Sequence, residues 1–489
     1  MKNNQSPKQT IDIVQVKSWF EGSSDITVKQ RTYKEKNSTC SLEFFFCPNL
    51  VDIKSLNEVI FPQINMVIEK NGSFSIELLS KIMEVSQLKE GKNIKAELEK
   101  RLFSGELLIF CYDVNDFLSI PISNAPKRSP EESTLETSVR GPRDGFVENV
   151  SDNMALIRQR LKTSSLKSIE YTLGERSQTK VLLLYIDDII NPSLLDEVKK
   201  RLESIKIDII VSSYELEEHL YDNLYSIFPL MDHIGRPDFV VQSLNQGRFV
   251  IVVDGNPSVI IGPTNFNQVL YSPEDVHQSF YYISFIRIQR IIGVFTTVFL
   301  PGFYIALITF QLDQVPYSLL ATIAITRIGL PLSAPAEAMI MLILFELFKE
   351  AGVRLPKAVG QTVAVLGGLF IGDAAIRAGL TSPSMLVIVA ITVISGYTLI
   401  NQNIGGNIAL LRMVVLLLSS FLGLFGFFIS FFLLLTHVVS LESFGQPYIS
   451  YLSNPNRSDI LKNFLKLPFP FLKKRNKAYR PIDPDSQKE

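Results

Sequence analysis

The chain is poor in the side chains that catalytic and metal centres use most. Among 489 residues it has four histidines, and His219, His233, His277 and His437 are scattered without metal-ligand spacing. Its three cysteines, Cys40, Cys47 and Cys111, cannot all pair and form no CxxC or Cys/His cluster. They read as buried free thiols and fit a reducing compartment. The segment GERSQTK (Gly174 to Lys180) lacks the second glycine and the Lys-Ser/Thr ending of a phosphate loop, and it precedes a strand rather than following one. The Asp187-Asp188 pair reads as a strand end or helix start, not as an acid–base pair. A formal net charge of -1, with no basic stripe before residue 290, removes the electrostatic case for nucleic acid. The first twenty residues hold no apolar core of signal-peptide length, so the expectation is that the N-terminal region stays in the cytoplasm. No enzyme is expected, and no catalytic, cofactor-binding or metal residue is assigned.

What the sequence does have is a sharp change of composition. Charges recur every few residues up to about Arg290, and apolar runs dominate from Ile291 to His437. The expected fold is an α/β cytoplasmic region of two subdomains, then an all-α polytopic membrane domain of four to six spans, then a short basic cytoplasmic tail. Residues 1–40 read as a polar N-terminal segment, weakly ordered up to about Gln30. The first α/β subdomain is 41–122, with strands at Leu42–Phe46 and Leu107–Tyr112 and helices at Ile76–Val85 and Ile94–Phe103. A linker rich in Pro, Ser and charge fills 123–138. In the second subdomain, 139–271, Ser151 or Asp152 is the expected cap of a helix running to about Leu161. Lys180–Ile186, a helix from Pro192 to Leu202, and Ile207–Val211 suggest a parallel strand–helix–strand crossover. Arg248–Val253 and Ser258–Ile261 suggest a hairpin around Asp254-Gly255-Asn256.

Residues 272–290 mix aromatic and basic side chains, as an interfacial juxtamembrane helix does. In the membrane domain, 291–437, the first expected span is Ile291–Gln311, kinked or broken at Pro301-Gly302. Tyr317–Leu330 and Pro335–Phe348, the latter carrying Glu337 and Glu346, are either two short spans or a re-entrant pair. Ala358–Leu380 and Met385–Ile400 follow, and Met413–Thr436, free of charge, is the clearest span. The tail, 438–489, is basic and by the positive-inside rule cytoplasmic, although Lys349, Arg354 and Lys357 then fall outside, against that rule. Ala358–Leu380 holds Asp373 and Arg377 inside an apolar run, where each charge costs a few kcal/mol. Gly360, Ala364, Gly368 and Gly372 repeat every four residues and form a smooth face for close helix packing. Thr362, Leu366, Leu369, Asp373 and Ile376 would then line a pore, with an acidic ring favouring cations. The competing reading is that Asp373 and Arg377, at i and i+4, simply neutralise each other.

Four motifs in order carry a family resemblance: VRGPRDGFVENVSDNMALIRQRLK, RPDFVVQSLNQGRFVIVVDGNPSVIIGPTNF, LPGFYIAL, and FELFKEAGVRLPKAVGQT followed by GGLFIGDAAIRAG. The chain resembles the A subunits of spore nutrient germination receptors, the GerA family of endospore-forming bacteria, from about Leu42 to the tail. The departures are Gly235, where relatives often carry an acidic residue before Arg236, and the charges Asp373 and Arg377. The resemblance implies a multi-pass receptor subunit in the spore inner membrane, both termini cytoplasmic. It implies a homo-oligomer, and work with a transporter-like B subunit and a lipoprotein C subunit, amid membrane lipid, to release monovalent cations. A non-conducting scaffold or signalling subunit of the same complex is the alternative.

Overall fold

The computed structural model describes residues 13–35, 38–71, 74, 76–88, 94–112, 114–124, 133, 136, 138–354, 372–398, 402–449, 464–471 and 473–486. The chain divides into two compact units. One comprises 1–221, 231–263 and 472–489; the other comprises 222–230 and 264–471.

The first unit is built on two five-stranded sheets, both wholly antiparallel. The first sheet contains β1 (Thr27–Glu35), β2 (Ser38–Phe46), β3 (Ser86–Gln87), β4 (Glu106–Cys111) and β5 (Asp116–Pro121), in the order β1-β2-β4-β5-β3. Side chains alternate across a strand, and β2 shows what that does here. Leu42, Phe44 and Phe46 pack on one face with Phe61 and Ile64 of a helix at Phe61–Asn71. Phe45 points the other way, to Phe20 of the helix Ile13–Phe20 and to Leu98 of the helix Ile94–Leu102. Both faces are covered, so β2 and β4 read as unbroken apolar runs and were legible as strands. All three cysteines are buried as thiols and belong to no disulfide, and burial raises the Cys47 thiol far above its ordinary range. From Ile13 onward the polar N-terminal region is not the weakly ordered stretch expected. It contributes the helix Ile13–Phe20 and β1, whose sequence TVKQRTYKE is polar because it forms the sheet's edge, where charged side chains discourage further pairing.

The second sheet contains β6 (Leu166–Leu173), β7 (Thr179–Ile186), β8 (Asp232–Ile234), β9 (Phe249–Val253) and β10 (Val259–Gly262), in the order β6-β7-β9-β10-β8. The β9–β10 hairpin forms as its sequence suggests, with Gly255 at φ +84° in the turn. The parallel crossover does not form. Ile207–Val211 belongs to no strand, because the loop at 175–179 takes its backbone groups: Glu175 N–H donates to Ile207 O and Thr179 Oγ1 to Ile210 O. The neighbour of β7 is instead the distant β9. The helix Val150–Arg160 is capped two residues before Ser151, the nearer expected cap, by Asn149, whose side chain accepts from Ser151 and Asp152 N–H.

A buried ion pair ties the loop before β1 to this helix. Arg158 donates to both oxygens of Asp25 at 2.7 and 2.9 Å, and to the carbonyls of Thr163 and Leu166 at 2.8 Å each. Every oxygen around the guanidinium is thus a partner, which is what makes a buried charge tolerable. Nearby in the same unit, the Glu136 carboxylate accepts from the Gly235 N–H at 3.2 Å and from the Ser133 hydroxyl at 3.1 Å. A Cβ on Gly235 would strike the Ser133 hydroxyl, so an acidic side chain has no room there. Glu136 supplies a carboxylate in its place.

The second unit is helical. Its main elements are the helices Phe280–Phe310, Tyr317–Arg327, Ala334–Arg354, Gly372–Arg377, Pro383–Gly396 and Gln402–Ser440. Three expectations change. The aromatic–basic stretch is no separate interfacial helix: Pro273–His277 is a short 3-10 turn, and the rest is the start of Phe280–Phe310. That helix runs unbroken through Pro301, and Gly302 beside it lies against Val415 and Ser419. Met413–Thr436 is not one straight span. Gly423 has φ +63° and ψ −142°, outside the helical region and costly for any residue with a Cβ.

Contacts on either side of Gly423 show that the chain reverses there. Along Phe280–Phe310, Gly302 meets Val415 and Ser419, and Phe310 meets Gly423, so the arm 402–422 runs in the same direction as that helix. Beyond the turn, Phe427 stacks on Phe303 at 5.4 Å and Phe431 on Phe299 at 5.4 Å, so the arm 424–440 runs back. The two far ends meet adjacent residues: Asn407 Nδ2 donates to Ile227 O at 2.7 Å, and the His437 ring lies 6.4 Å from the Phe228 ring. The arms are about 31 and 26 Å long. Among the described residues, Phe280–Phe310 is long and apolar enough to cross a membrane, and Ile404–Ser440 is as apolar but divided into two arms at Gly423.

Burial raises the Glu136 pKa from 4.5 to about 7, against the hydrogen bonds from Gly235 and Ser133. The folded state therefore binds this proton more tightly than the unfolded state does. Its contribution is most favourable below about pH 4.5 and is lost as pH rises through 7. Thermal unfolding of the full chain between pH 5 and 8 is expected to show a fall in Tm that the Glu136→Gln variant flattens. An identical pH profile in that variant contradicts the assignment.

Candidate functional site

Polar groups among apolar helices are where chemistry concentrates, because each must find a partner or pay for desolvation. Three carboxylates of the helical unit do so by taking an arginine. Asp275 is buried ahead of Phe280–Phe310 and receives Arg290 Nη1 and Nη2 at 3.0 Å each, with Arg287 Nε at 3.5 Å. Glu346 lies 3.1 Å from Arg412 Nη2 and 3.1 Å from Lys349 Nζ. Glu337 is the most enclosed, with no exposed surface.

Four donors converge on Glu337. Arg327 Nη1 meets Oε2 at 2.7 Å, while Oε1 accepts from Thr381 Oγ1 at 3.0 Å, Ser382 N–H at 2.6 Å and Ser382 Oγ at 2.7 Å. Ser382 is also the N-cap of Pro383–Gly396, its Oγ accepting from Met385 N–H. The carboxylate therefore sits at the positive end of a helix and against a guanidinium together. Arg327 ends one helix, Glu337 begins the next, and Ser382 begins a third. One buried charge fixes three helix ends, with Ala338, Met341, Leu342, Met385 and Val389 packed around them.

Of the residues singled out by sequence, Thr362, Leu366, Leu369, Gly360, Ala364 and Gly368 lie outside the described residues. Gly372 is buried, and a Cβ there would meet the Leu386 side chain at 3.1 Å, so its face packs within the same chain. Ile376 is half-buried. Asp373 and Arg377 stand 2.9 Å apart on one helix, both exposed. The structure thus joins those two to each other and not to the Glu337 cluster. The sequence showed Glu337 and Glu346 as charges in a helix, but Thr381 and Ser382 are polar turn residues with no sign of a partner 44 and 45 residues away.

A sheet-rich unit and a helical unit with a long apolar helix, an apolar helical hairpin and paired internal charges point to membrane association. The model of one family, described as Bacillus/Clostridium GerA spore germination protein, matches residues 14–478, and the chain belongs to that family. It is 40% identical to spore germination protein XA of Bacillus anthracis over 98% of both chains. It is 33% identical to spore germination protein KA of Bacillus subtilis (strain 168) over 95% of this chain and 85% of that one. It is 38% identical to the uncharacterized membrane protein YfkQ of the same organism over 77% and 74%. Among solved structures it matches the N-terminal domain of the A subunit of the Bacillus megaterium spore germinant receptor GerK3, at 26% identity and a TM-score of 0.40, covering 52% of this chain and 94% of that one. The family model and the curated relatives place the chain among the GerA spore germination proteins.

Glu337→Ala leaves Arg327 and the Thr381–Ser382 donors without their acceptor. It is expected to cost about 3–5 kcal/mol, as removing one partner of a buried pair does. In detergent, Arg327→Ala and Glu337→Ala should be strongly non-additive in thermal unfolding, the double variant falling little below the worse single one. Additive losses contradict the coupling.

Proposed function

We propose that the chain is the A subunit of a nutrient-responsive receptor of the spore inner membrane, and that several copies form a ligand-gated cation channel whose opening triggers germination. The reading gives it a transporter-like B subunit and a lipoprotein C subunit as partners, both termini in the cytoplasm, and no catalytic step. The observation that carries it is the way the helical unit handles charge. Asp275, Glu337 and Glu346 are each met by an arginine, as an apolar surrounding requires, while Asp373 is exposed at the end of the small-residue segment. In a closed ring, such an acidic residue repeats around the axis and favours cations. Its i,i+4 partner Arg377, 2.9 Å away, tempers that charge in this member.

The alternative, a non-conducting scaffold, is favoured by the size of the two-sheet unit, which a bare channel does not need. Reconstitution separates the two. With its partner subunits in liposomes, the chain is expected to pass monovalent cations when nutrient is added, and Asp373→Asn to lower cation-over-anion selectivity several-fold. No flux with any nutrient supports the scaffold. Unchanged conductance and selectivity in both Asp373→Asn and Leu366→Ala removes this helix from the pore.

A further inference from the structure

Arg412 is buried, about 3% exposed, yet only part of its guanidinium is used. Nη2 donates to Glu346, while Nε has no hydrogen-bond partner and no access to solvent. A buried unpartnered N–H of a cation is costly and calls for an acceptor. The residue lines a cleft of the helical unit together with Thr297, Phe345, Glu346, Lys349 and Tyr397. Two cations face one carboxylate there, which leaves an excess of one positive charge.

The placement of the cleft narrows the ligand. Arg412 stands where the arm 402–422 changes from Gln402, Asn403 and Asn407 to the apolar run from Met413. Lys349 stands near the charged end of Ala334–Arg354. The cleft is thus at the boundary between polar and apolar helix, the depth of lipid headgroups. On Pro383–Gly396, Val387, Ile391 and Ile394 are exposed at i, i+4 and i+7, and the ridge continues to the exposed Tyr397 at the cleft. It is about 15 Å of uncovered apolar surface leading to a cationic pocket.

We propose that this cleft binds the headgroup of a singly charged anionic phospholipid. The phosphodiester oxygens accept from Arg412 and from Lys349, and an acyl chain lies along Val387, Ile391 and Ile394. Basic pockets between helices at this depth recognise anionic headgroups in this way, and one excess charge suits a single phosphodiester rather than a polyphosphorylated headgroup. The site rests on the membrane placement proposed above, but it can be tested separately from it.

Native mass spectrometry of the full chain in detergent, titrated with phosphatidylglycerol, phosphatidylcholine or free glycerol phosphate, tests the site. One phosphatidylglycerol per chain should be retained at least tenfold more tightly than phosphatidylcholine. Lys349→Gln, half-exposed and safe for folding, should weaken it several-fold, and Arg412→Gln should abolish the preference. A Val387→Asp variant should weaken phosphatidylglycerol while leaving glycerol phosphate unaffected. Equal binding of both lipids, or of glycerol phosphate as tightly as the lipid, overturns the proposal. Failure of the chain to stay in alkali-washed membranes would count against the membrane placement alone, since lipid binding in detergent is read independently.

Discussion

The Glu337 carboxylate meets Arg327, Thr381 and Ser382 in a place without solvent, and the helical unit is arranged around that meeting. An ionised carboxylate has no other way to exist among apolar helices: unpaired, it would either take up a proton or force the packing open. The donors come from the C-terminus of one helix and from the turn and cap that open another, and the carboxylate itself lies in the first turn of a third, so satisfying the charge also sets where three helices begin or end. The same rule is applied twice more, at Asp275 with Arg290 and at Glu346 with Arg412. At the first, arginine donors meet both carboxylate oxygens. At the second, Arg412 keeps a donor unused and also lines a cleft, and the cleft is what makes it a candidate binding site.

The sheet-rich unit follows the same logic with less at stake. Asp25 and Arg158 are surrounded by acceptors and donors that account for every charge-bearing atom of the pair. Its sheets are covered by helices on both sides, so apolar runs in β2, β4, β7 and β9 needed no alternation to be strands. Those were the elements most legible in the sequence, together with the β9–β10 hairpin, whose turn residues declare themselves locally.

What was not legible depended on partners far away in the chain. Ile207–Val211 is as apolar as its neighbours, but a strand needs a free edge, and β9 already occupies the one beside β7. The departure at Gly235 was visible in the sequence, yet its reason, a carboxylate supplied by Glu136, lay 99 residues upstream. Gly423 looked like one more small residue in an apolar run, and only its backbone angles and the Phe310 ring against it reveal a reversal. Of the candidate pore residues, the Asp373–Arg377 pairing was readable from its i,i+4 spacing. The Glu337 and Glu346 clusters were not, since sequence shows a charge without showing what answers it.

The hairpin is the point on which the account of the helical unit turns, because it puts both ends of the longest apolar segment at the same end of the bundle. Side-specific labelling tests it most directly. With the native cysteines replaced, Gly406→Cys and Ser440→Cys, both at exposed positions, would be treated with a membrane-impermeant maleimide in sealed vesicles. The account predicts that the two react from the same side. Reaction from opposite sides would make the segment a single crossing and would contradict it.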